Sequence, residues 1–166
     1  MIEQPMLIGG QTAQASNGAT FERRNPLDGS VATRAPAATA ADAVRAVEAA
    51  QAAFPAWAAL GPTQRRQMLM KASQALAAKA DAFAAAMAAE TGASGIWAGF
   101  NVHLSANMLL EAAALTTQIN GQVIPSDVPG SMAMAVRQPA GVVLGIAPWN
   151  APVILATRAI ATPLAC

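Results

Sequence analysis

A chain of 166 residues is the size of one domain, and with 54% of them apolar and 11% charged it excludes disorder driven by charge and low hydrophobicity. Ten basic residues balance nine acidic ones, so no net field draws in a polyanion such as nucleic acid. The single cysteine cannot form an internal disulfide, and Met1-Ile-Glu-Gln-Pro has neither the basic nor the apolar region of a secretory signal, so the cytoplasm is the expected compartment.

Up to about Thr33, short apolar runs such as Met6-Leu7-Ile8 alternate with turn residues at Gly9-Gly10, Asn17-Gly18 and Asn25-Pro26-Leu27-Asp28-Gly29, which predicts short strands in hairpins. Thr39 followed by Asp42 has the spacing of a capping box, and Val44, Val47 and Phe54 recur at near-helical intervals until Pro55. A second helix is expected from Pro62-Thr63, with Leu69, Ala72, Leu76, Phe83 and Met87 on one side and Gly92 as its stop. The third runs from about Gly95 to Asn120-Gly121, and its stripe of Trp97, Phe100, Leu104, Met108 and Leu115 reads as core. Val123-Ile124-Pro125, a turn over Ser126 to Gly130, and alternating Met132, Met134 and Val136 then predict a hairpin.

Val142-Val143-Leu144-Gly145-Ile146 suits a strand buried on both faces, Pro148-Trp149-Asn150-Ala151-Pro152 a loop, and Val153 to Ala165 a helix opened by a proline. The uncharged stretch from Pro139 to Thr157 is long enough to span a bilayer, but Pro139, Pro148, Pro152, Gly141, Gly145 and Asn150 would break a lipid-facing helix, so no membrane partner is expected. Strand, loop and helix make half of a strand-helix-strand unit. The second parallel strand does not appear, and the chain is expected to be the amino-terminal part of a larger fold.

The run Arg137-Gln-Pro-Ala-Gly-Val-Val-Leu-Gly-Ile-Ala-Pro-Trp-Asn150-Ala-Pro resembles the aldehyde dehydrogenase superfamily. Asn25-Pro26, Ala49-Ala50-Gln51-Ala52-Ala53-Phe54 with Trp57, Arg65-Arg66 and Glu90-Thr91-Gly92 fit that family in order. Trp97-Ala-Gly-Phe-Asn-Val-His103, Ile124-Pro-Ser-Asp127 and Arg158 look most like its aromatic-aldehyde branch, above all salicylaldehyde dehydrogenases, with vanillin and benzaldehyde dehydrogenases as near neighbours. The resemblance implies an α/β fold, the amino-terminal portion of a Rossmann-like NAD-binding domain with a helical layer. Residues 1–121 would supply its strands and helices, 122–138 an oligomerisation hairpin and 139–166 the first strand-loop-helix of the Rossmann-like core, with the catalytic domain absent. NAD as cofactor, NADP being left open, a small aromatic aldehyde as substrate and a homo-oligomer, dimer or tetramer, are implied with it.

In that family a cysteine thiolate attacks the aldehyde, the oxyanion collapses by passing hydride to nicotinamide, and water hydrolyses the thioester. Asn150 matches the family's amide donor to the oxyanion, a neutral N–H that acts without reorganising. Ile146, Ala147, Pro148 and Trp149 match the stretch at the nicotinamide end of the cofactor. Trp97, Ala151, Ile154, Leu155 and Arg158 are the substrate-side candidates, with Arg158 placed to bond a ring hydroxyl. On the residues alone, Asn150 also reads as a turn asparagine, Ile146 as the end of a buried strand, Trp149 as core, and Arg158 as a surface arginine in a salt bridge. Cys166 ends an apolar helix with no base nearby and reads as a buried packing thiol, the family's nucleophile and glutamate base being expected beyond it. His103 lacks a second ligand at metal spacing and reads as structural, and no metal is expected. Rival readings are an enzyme for vanillin or benzaldehyde, one for succinic semialdehyde with Arg158 on the carboxylate, and a non-enzymatic alanine-rich helical module acting through protein contacts.

Overall fold

The computed structural model describes residues 1–166. Its N-terminal part holds five short strands, β1 (Ile2–Glu3), β2 (Met6–Ile8), β3 (Gln11–Ala13), β4 (Thr20–Arg24) and β5 (Val31–Pro36). β2 and β3 form an antiparallel hairpin whose turn residues Gly9 and Gly10 both take positive φ, the condition that a two-residue hairpin loop imposes. β4 and β5 form the second hairpin, closed by Asn25 and Asp28, whose side chains accept from the N–H groups of Leu27 and Ser30 at 2.9 Å. β1 adds to the other side of β5 in parallel, a pairing that local hairpin signals do not carry.

The expected capping box is present at the start of helix α1 (Ala40–Ala58): Thr39 Oγ1 accepts from the Asp42 N–H, and Asp42 Oδ2 accepts from the Thr39 N–H at 2.8 Å. The same carboxylate accepts from the Ser16 N–H and from Arg45 at 2.6 Å, tying the strand layer to the helix. These donors, the main-chain N–H of Thr39 first, hold the Asp42 carboxyl well below the usual carboxylate range, although burial acts in the opposite direction. Pro55 does not stop α1, which continues to Ala58, where the Trp57 indole donates to the Leu164 carbonyl at 3.2 Å. Val44 and Val47 of its apolar stripe are exposed.

The single helix expected from Pro62 to Gly92 is two, α2 (Pro62–Ala77) and α3 (Ala80–Thr91), separated by a bend that contains neither glycine nor proline. The stop at Gly92 is as expected, with φ +67. Helix α4 (Gly95–Leu115) ends short of Asn120, and the face it buries is not the row of large residues. Trp97, Phe100 and Leu115 are exposed, while Ala98, Asn101, Val102, Ser105, Ala106, Leu109, Ala112 and Ala113 are buried. Small side chains let α2 and α5 (Pro152–Ala165) lie close on α4, so the packing face follows residue size rather than hydrophobicity. One core forms where Leu69 meets Leu109, Ala112, Ala113, Ala161 and Ala165, and a second where Met87, Ala98 and Val153 meet.

Between α4 and α5 comes the predicted hairpin, β6 (Gln122–Ile124) with β7 (Ala133–Ala135), Val123 standing opposite Met134. The stretch from 139 to 149 that follows forms no ladder. Val142 to Ile146 is therefore not a strand buried on both faces: no strand of this chain lies beside it, and Leu144 and Ile146 are 83% and 81% exposed. Gly145 lies against α5, where a Cβ would meet that of Ala159 at 2.8 Å. Cys166 is exposed rather than packed, because the buried stripe of α5, Val153, Thr157, Ala161 and Ala165, turns away one position before it.

Candidate functional site

The loop that enters α5 is held from one side by α4. Ser94 caps that helix, its Oγ accepting from the Trp97 N–H at 3.3 Å, and the next turn places Asn101 below Trp97, where its Nδ2 donates to the Trp97 carbonyl at 3.0 Å. Ser105, one turn further, donates to the Asn101 carbonyl at 2.7 Å. The Trp97 ring stacks on Phe100 with centroids 5.6 Å apart, and its indole N–H donates to the main-chain carbonyl of Asn150 at 3.4 Å. Trp97 and Asn150, distant in sequence, are thus brought together.

Asn150 itself is exposed, and its carboxamide makes no hydrogen bond within the chain. It stands immediately before the N-terminus of α5, whose end carries partial positive charge. The arrangement offers a neutral donor, aimed out of the packed interior, beside a helix end that favours negative charge. Ile146, Ala147, Pro148 and Trp149 are all exposed, so neither the buried-strand reading of Ile146 nor the core reading of Trp149 holds. Their main-chain groups form no hydrogen bonds inside the chain, which leaves an apolar, unpaired edge.

The substrate-side candidates divide. Ala151 and Ile154 are buried at the start of α5 and Leu155 is half-buried, whereas Arg158 is exposed and belongs to none of the ion pairs within this chain. An apolar groove of about 300 Å³ runs between α3 and α5, lined by Leu76, Phe83, Met87, Val153 and Ile160 among others, but none of the substrate candidates lines it. His103 is exposed, its Nε2 3.1 Å from Asn107 Nδ2. No group of three His, Cys, Asp or Glu side chains is placed to hold a metal ion, and no helix is long and apolar enough to cross a membrane. Asn101 and Ser105 were not singled out from sequence. Their signal is spacing, since Trp97, Asn101 and Ser105 recur every fourth residue on one line of the helix, two polar side chains in an otherwise apolar face.

The sequence profile of the aldehyde dehydrogenase family matches residues 13–166. The chain belongs to this family. An aldehyde dehydrogenase relative, vanillin dehydrogenase of Pseudomonas fluorescens, is 66% identical over the whole chain, which covers 34% of that protein. The crystal structure of a salicylaldehyde dehydrogenase from Pseudomonas putida G7 complexed with salicylaldehyde superposes with a TM-score of 0.97 at 44% identity, over 100% of this chain and 34% of that one. A NAD-dependent benzaldehyde dehydrogenase from Corynebacterium glutamicum gives 0.92 at 31% identity, over 97% of this chain and 35% of that one. The chain thus spans about a third of the length of the aldehyde dehydrogenases it matches, and its α/β fold is that of their amino-terminal third.

Proposed function

We propose that a polypeptide carrying this chain together with the remaining length found in its relatives oxidises an aromatic aldehyde bearing a ring hydroxyl, using NAD, with NADP as the alternative cofactor. The observation behind the proposal is the exposed Asn150 carboxamide, without an intrachain partner, at the N-terminus of α5. Negative charge that develops on the aldehyde oxygen meets a donor that is already in place and has no internal hydrogen bond to break. The nucleophile and the base come from outside these residues, since Cys166 has no neighbouring base in sequence and ends α5.

The loop fits the nicotinamide end of a dinucleotide. Ile146, Ala147, Pro148 and Trp149 offer exposed apolar groups and unbonded main-chain N–H and C=O groups to a flat ring bearing a carboxamide. When bound, the cofactor accepts the hydride released from the substrate carbon. Trp97 forms an aromatic wall with Phe100 behind it, Ala151, Ile154 and Leu155 shape the first turn of α5, and Arg158 presents its guanidinium to the ring hydroxyl.

Vanillin and salicylaldehyde both carry such a hydroxyl. The 66% identity to a vanillin dehydrogenase, against 44% to a salicylaldehyde dehydrogenase, favours the vanillin pattern. The division into 1–121, 122–138 and 139–166 belongs to the same proposal. In it the hairpin, whose Val123, Ile124, Met132, Met134 and Val136 are exposed, builds a contact between copies, and the protein works in the cytoplasm.

The test is a comparison of kcat/KM for vanillin, salicylaldehyde, benzaldehyde and succinic semialdehyde with the full polypeptide. Vanillin is expected to lead. A lead by succinic semialdehyde would move Arg158 to a carboxylate, and no turnover of any of the four would favour the non-enzymatic module. Arg158→Ala is expected to lower kcat/KM for the two hydroxylated aldehydes on the order of tenfold to a hundredfold more than for benzaldehyde, the size of a charged hydrogen bond. Equal losses for all three remove the role given to Arg158.

A further inference from the structure

The hydrogen bonding around Asn150 is one-sided. Its carbonyl accepts from the Trp97 indole, and neither its own N–H nor its carboxamide bonds within the chain. On the helix side the one anchor is the Ala151 carbonyl, which accepts from the Leu155 N–H at 2.9 Å, while the stretch from 139 to 149 is without ladder pairing, Ala151 has no side chain with which to cap α5, and Pro152 has no N–H. Trp97, by contrast, is held at every point. Ser94 takes its N–H, Asn101 gives to its carbonyl, Phe100 stacks on its ring, and Ser105 fixes Asn101 in turn.

Asn101 adds an independent observation. It is fully buried, and its Oδ1 has no hydrogen-bond partner. A buried amide oxygen left unpaired is a cost, which an apolar side chain of similar size would not carry. What this side chain does supply is the Nδ2 bond that holds the Trp97 main chain. The cost is sustained at the residue that steadies Trp97.

We infer that Trp97 is a positioning residue for Asn150: its indole N–H, gripping the Asn150 carbonyl, fixes the peptide plane at the loop's end and so aims the carboxamide. This rests on the reading of Asn150 as the oxyanion donor. It gives the indole nitrogen a task separate from the ring's service as a wall for the substrate.

Trp97→Phe in the full polypeptide removes the indole N–H and keeps an aromatic ring, smaller than the indole, to stack on Phe100. Its kcat is expected to fall about fivefold to tenfold, the size of one uncharged hydrogen bond, with KM for the aldehyde little changed. The fall should be the same for vanillin and for a short aliphatic aldehyde that has no ring to reach the wall. In an Asn150→Ala background the same replacement should cost nothing further, because there is no carboxamide left to aim. A rise in KM for vanillin with kcat intact would reduce Trp97 to a wall, and a full additional loss on top of Asn150→Ala would also overturn the inference. Trp97→Leu serves as the second variant: it removes ring and N–H together, so its kcat should fall at least as far as that of Trp97→Phe, and an unchanged kcat there equally overturns it. If Asn150→Ala alone leaves kcat unchanged, the oxyanion reading fails instead.

Discussion

Replacing Asn150 with alanine is expected to separate catalysis from stability. The carboxamide is exposed and makes no hydrogen bond within the chain, so its removal uncovers no partner and opens no cavity. Surface substitutions of that kind stay within about 0.5 kcal/mol, and for a domain of this size the melting temperature should move by no more than about 2 °C. On the proposed role the transition state would lose a donor worth about 2.7–4 kcal/mol, roughly a hundredfold to a thousandfold in kcat. Asn150→Asp should be at least as damaging, since it places a second negative charge beside the developing one. The assay is steady-state formation of reduced cofactor alongside thermal unfolding of the same preparation. A loss below about threefold with Asn150→Ala, or a loss matched by a large fall in melting temperature, would refute the reasoning, the first by denying the donor role and the second by making the residue structural.

Two further predictions concern the scaffold. Asp42 is held deprotonated in the folded chain by the Thr39 and Ser16 N–H groups and by Arg45, so its contribution is fully present above the unfolded value near pH 4 and is lost as pH falls toward the lower folded value. Asp42→Asn should therefore lower the melting temperature at neutral pH and flatten its dependence on pH below about 4; an unchanged slope would show that the carboxylate carries none of it. Gly145→Ala would drive its Cβ to 2.8 Å from that of Ala159, and because each Cβ is bonded directly to the backbone and cannot rotate away, the segment must shift away from α5. An overpacking cost of about 1–3 kcal/mol is expected, together with a fall in kcat as the loop to Asn150 moves, and unfolding with kinetics on one sample checks both.

What could be read in advance depended on whether the cause was local. The Thr39 and Asp42 cap, the Gly92 stop and the proline opening of α5 are set within a few residues and were legible as such. The bend between α2 and α3 has no glycine or proline to announce it. The buried face of α4 escaped because Ala98, Ser105 and Ala112 pack for being small, whereas the large residues Trp97 and Phe100 face outward. Asn150 could be singled out only through the resemblance carried by the run of residues around it, and its role remains the proposal above. Its tie to Trp97 joins two elements far apart in the chain, and no spacing rule carries such a contact.

Under the proposed function, the unpaired stretch from Val142 to Ile146 would bear on the order of events as the protein matures. The stretch ends at the loop that bears Asn150, and its main-chain groups have no partners here. If the proposed function holds, whichever segment of the remaining polypeptide packed beside it would also set how deep the Asn150 carboxamide sits. On that reading catalytic competence would be a late acquisition, and before it the same bare stretch would be a place where two immature copies could stick together.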